Sequence, residues 1–200
     1  METPQTTPAD DLQAIRDMME RSSKFLSLSG LSGIFAGLCA FAGAAAAWFW
    51  ILGSGRMPYT DTVGYLALDA ILVLGLALAG AVYFSCRKAR QAGLSIWTGS
   101  SRRLLFHLLV PLAAGGIFSI ILVLRKDFDL VAAVMLVFYG LSLVNAGKFT
   151  FSEIHYLGLT EIGLGLLAGI FPGQGLFFWT VGFGLMHIVY GSVMYYRYER

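Results

Sequence analysis

The run VGYLALDAILVLGLALAGAVYFS, Val63 to Ser85, holds 23 residues and a single charge, Asp69. A helix rises 1.5 Å per residue, so about 20 mainly apolar residues suffice to cross a hydrocarbon core of roughly 30 Å. The run reads as a membrane-spanning helix. Moving outward from it, residues 27–52, 104–124, 130–147, 156–171 and 176–196 have the same character. The fourth and fifth spans are short and reach length only by borrowing Asn145, Ala146 and Tyr156. The expected fold is all-α, a compact bundle of six transmembrane helices. It is flanked by a polar segment over 1–26 and a short tail over 197–200.

Composition agrees. Of 200 residues, 57% are hydrophobic and 13% charged, whereas a soluble domain is about 45–50% apolar and about 25% charged. A net charge of +2 is too small to point to nucleic acid. Cys39 and Cys86 fall in different spans, offering no disulfide framework and no metal-ligand spacing. No cofactor-binding pattern is present in the sequence.

Orientation comes from the distribution of Lys and Arg, which concentrate on the cytoplasmic side of membrane proteins. With the N-terminus inside, the inner segments hold 11 of the 14 positive residues; the outer loops hold Arg56, Arg125 and Lys126. Both termini are therefore expected in the cytoplasm, and the plasma (inner) membrane is the expected location. Trp48, Trp50, Tyr59, Tyr65 and Trp179 fall at outer span ends, where amphipathic rings settle. The 87–103 loop is basic and is expected to rest on anionic lipid headgroups.

Glu2, Asp10 and Asp11 stand where a secretory leader would be positive, so the first apolar run is expected to persist as a span. Thr7-Pro8 resembles a helix start. Leu12, Ile15, Met18, Met19, Phe25 and Leu26 then recur at helical spacing. They suit either an amphipathic helix on the inner membrane face or an extension of span one.

Small residues at four-residue spacing mark close helix contacts in lipid. Span one offers Ser29, Gly33 and Gly37; span five offers Gly165, Gly169 and Gly173. The span-one stripe admits a homodimer as well as a contact within the bundle. Glu161 precedes Gly165 by four residues and is expected to point into the bundle along that stripe. Gly184, His187 and Gly191 are likewise expected to share one face of span six.

Pro172-Gly173-Gln174-Gly175 forms a turn between these spans. Counted from its centre at 1.5 Å per residue, Glu161 and His187 both lie roughly 19–20 Å below the outer turn. The depths predict a Glu161–His187 pair in the inner half of the membrane. Such a pair suits a register clip between two helices or an intramembrane functional site. Asp69 is the third intramembrane candidate, with Tyr65, Val73 and Leu76 as its helical neighbours and no small-residue face. It suits a hydrogen bond to Tyr65 or a polar lining to an outward cavity.

The stretch from Tyr156-Leu-Gly-Leu-Thr-Glu161 through Gly182-Phe-Gly184-Leu-Met-His187-Ile-Val-Tyr190-Gly191 resembles the C-terminal hairpin of small uncharacterised bacterial six-span inner-membrane proteins. That resemblance implies a bacterial membrane setting and brings no activity with it.

Three functional classes fit the residues. The first is a non-enzymatic interaction or sensing module, since no soluble domain is present. The second is a small transporter or channel using Glu161, His187 and Asp69; three-span halves of opposite orientation suit it. The third is an intramembrane metal-dependent hydrolase drawing on His107, His155 and His187. Against the third, HExxH and HxxxH pairs are absent and His155 is expected in a loop.

Overall fold

The computed structural model describes residues 27–53 and 59–200, and within them the chain is all-helical. The amphipathic pattern before residue 27 and the outer-loop Arg56 lie outside the described residues. Helix α1 runs Gly30–Ala46 and continues as a π segment, Ala47–Leu52. Helix α2 is Tyr59–Gln91 and α3 is Gly99–Arg125. A 3-10 turn at Phe128–Leu130 leads into α4, Val131–Ala146, and a second, Gly147–Phe149, closes it. Helix α5 is Ser152–Ile170. The last helix, α6, comprises Gly175–Trp179, a π segment Thr180–Met186 and His187–Tyr198.

Five of these helices are long and apolar enough to cross a membrane: α1, α2, α3, α4 with its flanking 3-10 turns, and α6. Helix α5 has 19 residues but carries Glu153, His155 and Glu161, which dilute its apolar character. The basic loop is shorter than expected. Helix α2 continues through Gln91 and α3 begins at Gly99, so only residues 92–98 lie outside helix. The reason is local: Thr98 and Ser101 form a capping box, satisfying orphan amides at the start of α3.

Packing runs laterally from α2 to α1, to α6, to the α4–α5 pair, with α3 on the far side of α4. Helices consecutive in the chain run antiparallel, as do α1 and α6. Up α1, Gly30 meets Gly191 and Tyr195, Gly33 meets Gly191 and the His187 carbonyl, and Gly37 meets Gly184 and Ile188. A Cβ at Gly191 would lie 2.7 Å from the Gly30 carbonyl oxygen and the Ile34 nitrogen, so the helix backbones touch. The Ser29–Gly33–Gly37 stripe is thus covered by α6. Helices α4 and α5 approach as closely at Gly140 and Gly158, and Gly165 packs on Ala133 and Val137. Gly169 makes only ordinary contact with Ala133.

The α5–α6 connection is a β-turn in which the Gln174 N–H donates to the Phe171 carbonyl at 3.3 Å. Pro172 and Gly173 occupy its centre, and Gly173 has φ +84°, where a side chain would be strained.

Candidate functional site

Glu161 is the middle residue of α5, and His187 stands at the centre of α6. Both therefore lie at mid-helix, α5 beginning at Ser152, four residues before the expected start of the span. His187 Nδ1 lies 3.4 Å from Glu161 Oε1, with Glu161 0% exposed and His187 nearly so.

The contact is not a hydrogen bond. The His187 ring finds its hydrogen bonds elsewhere: Nδ1 donates to the Gly182 carbonyl at 3.1 Å, and Nε2 meets the Tyr139 hydroxyl at 2.7 Å. A carbonyl only accepts, so Nδ1 carries the proton; in the neutral ring, Tyr139 then donates to Nε2. Neither oxygen of Glu161 has a hydrogen-bond partner. An ionised carboxylate without donors in an apolar interior is costly. Both oxygens are thus open to a hydrogen-bond donor or a cation.

The π segment builds this arrangement. One extra residue per turn rotates the remainder of the helix about its axis, and such bulges recur at functional sites. Here the segment ends at Met186, immediately before His187. Gly182 within it leaves the space that the Glu161 carboxyl fills; a Cβ there would meet Glu161 Oε2 and Leu136. The ring of His187 stacks with Tyr139 and Phe183 at centroid distances of 5.4 and 5.9 Å. The expected shared face of Gly184, His187 and Gly191 is divided. Gly184 and Gly191 pack on α1, while the imidazole turns toward α4 and α5. The Glu161–Gly165 stripe divides likewise, Gly165 facing α4 and Glu161 facing Gly182.

Asp69 lies apart from this locus, beside α1. A Cβ on Gly43 of α1 would stand 3.4 and 3.6 Å from its two carboxylate oxygens. The three histidines do not converge. His107 is exposed and stacks on Phe149 at 4.9 Å. His155 lies in the first turns of α5, not in a loop, against Gly147. Among the described residues no three His, Cys, Asp or Glu side chains are grouped to hold a metal ion.

A second polar cluster was not singled out in the sequence. At the end where α1 begins and α6 finishes, Glu199 accepts from the Ser29 hydroxyl at 2.9 Å and from the Gly30 amide. Lys88, near the end of α2, lies 3.2 Å from the same carboxylate and donates to the Leu28 carbonyl at 2.7 Å. Beside them, the buried Glu153 accepts from Arg197 at 3.0 Å and from the Tyr198 hydroxyl at 3.1 Å. No spacing rule links residues 28, 88, 153 and 199; the one available signal was the surplus of charge at span ends.

No family model, curated protein or solved structure matches this chain. Several of its helices are long and apolar enough to cross a bilayer, and the functional reading rests on the site itself.

Proposed function

We propose that this is a six-span protein of a bacterial inner membrane, with both termini in the cytoplasm. In this reading it works as a non-enzymatic sensing or interaction module whose responsive element is Glu161. The observation that carries it is the buried carboxyl with no hydrogen-bond partner on either oxygen, beside a histidine satisfied by Tyr139 and Gly182. Loading or emptying such a site changes the electrostatics between α5 and the π segment of α6, where packing is already irregular. Orientation is supported by the meeting of Leu28, Lys88 and Glu199 at one end of the bundle. That end carries most of the positive charge. Anionic headgroups there are the expected lipid partners of Arg87, Arg90, Arg102 and Arg103.

Trp179 sits one turn before Phe183, its ring 5.1 Å away, and so reports on the π segment. With Trp48, Trp50 and Trp97 replaced by Phe, its emission in phosphatidylglycerol nanodiscs is expected to track pH in a single sigmoid. Glu161→Gln is expected to abolish that response. Equal profiles for the two proteins would rule the reading out.

A transporter built on the same residues is the second reading. It is favoured by the occlusion of Glu161 at mid-helix, the depth at which coupling sites lie in repeat-built transporters. Proton or sodium flux into liposomes that Glu161→Gln removes would select it over the sensor.

A further inference from the structure

We infer that the groove between α1 and α2 around Asp69 is a binding site for a single-chain cationic amphiphile, its ammonium on the Asp69 carboxylate and its chain along the groove. The groove is about 380 Å³, within the range of small-molecule sites. Leu38 and Ala42 of α1 form one wall; Leu72, Val73 and Leu76 of α2 form the other. Leu38, Leu72 and Leu76 are each more than half exposed, so the groove opens sideways to the bilayer. Helix α2 packs chiefly on α1 among the described helices, and this leaves that side uncovered.

Charge complementarity selects the occupant. Asp69 is the sole charged residue of the groove, and among the described residues no donor or cation meets it. Gly43 of α1 stands opposite, close enough that an added Cβ would be in ordinary contact with both carboxylate oxygens. Gly43 stands about 20 Å along α1 from Gly30, at 1.5 Å per residue. In a core of roughly 30 Å, that places the carboxylate well below the far headgroups. At such depth an unpaired charge is expensive, and intramembrane acids mark ligand pathways. An anion is repelled and a neutral detergent leaves the carboxylate unpaired. A cation bearing one alkyl chain satisfies both the acid and the leucine walls. The site rests on the membrane-spanning reading of α1 and α2 but not on the proposed role of Glu161.

The test uses the full chain in dodecyl maltoside with radiolabelled dodecyltrimethylammonium as probe. Saturable binding of one probe per chain is expected. Asp69→Asn should weaken it at least tenfold, and Asp69→Glu should restore most of it. Leu72→Trp keeps the acid but fills the groove, and should also abolish binding in protein that remains monodisperse. Glu161→Gln should bind as wild type, which separates this site from the sensing locus. Binding that does not saturate, or that is equal in wild type and Asp69→Asn, would overturn the assignment. Displacement of the probe by equimolar phosphatidylethanolamine would overturn it too, because the occupant would then be a membrane lipid.

Discussion

The Lys88 ammonium lies 3.2 Å from the Glu199 carboxylate, joining the end of α2 to the end of α6 across the start of α1. The same carboxylate accepts the first amide of α1 from Gly30, and Lys88 accounts for the Leu28 carbonyl. Three segments distant in sequence are thereby held at one level, with the ammonium also 5.1 Å from the Phe151 ring centroid.

Glu199→Ala is expected to remove both the cap and the ion pair. Loss of an N-cap acceptor costs roughly 0.5–2 kcal/mol, and an ion pair near the surface adds little beyond that. For a chain of this size the expected fall in Tm is about 2–4 °C per kcal/mol. Because both side chains share one network, Glu199→Ala and Lys88→Ala should be non-additive. Additive losses in detergent melts would show that the two ends are held independently.

Gly182→Ala places a Cβ where Glu161 Oε2 and Leu136 now lie. Overpacking of this kind costs about 1–3 kcal/mol. Adding Glu161→Ala should recover part of the loss by emptying the space, whereas Glu161→Gln, equal in shape, should not. The comparison needs only thermal unfolding of four proteins.

Tyr139→Phe keeps the ring stack on His187 but removes the hydroxyl that meets Nε2 at 2.7 Å. A buried nitrogen left without its partner costs about 1–3 kcal/mol. In a His187→Ala background no nitrogen is orphaned, so the second substitution should cost much less. A cycle with no coupling would remove Tyr139 from the site.

Gly191→Ala and Gly116→Ala should differ in sign. At Gly191 the new methyl meets the backbone of Gly30 and Ile34, and α1 must part from α6. At Gly116 nothing lies within 4 Å of the added atom, and alanine gains up to about 1 kcal/mol of helix propensity over glycine. Size-exclusion profiles and melting curves check both. Similar behaviour of the two variants would refute the close α1–α6 contact.

The helices were legible because each is a property of a continuous run. The apolar stretch from Val63 to Ser85 needs no knowledge of its neighbours, and Pro172-Gly173 writes its turn into two residues. Depth was partly legible, since a fixed rise per residue placed Glu161 and His187 at one level, and they lie 3.4 Å apart. Helix bounds were the weak point: Ser152 and Glu153 begin α5 although they are polar, so His155, expected in a loop, lies in a helix.

By itself, the sequence determined which segments are helical and apolar, where the turns fall, and which ionisable residues are carried into apolar surroundings. The tertiary structure alone decided what those residues touch. A π segment runs up to Met186, so regular α-helical periodicity does not carry from Gly184 to His187. The position of a side chain around its helix matters only once a neighbour is placed there. That neighbour was chosen by backbone contact at Gly33, Gly37 and Gly191, which no single helix encodes. The same reason hid Glu199: a residue near one chain end became the cap of α1 only because α6 lies antiparallel to it.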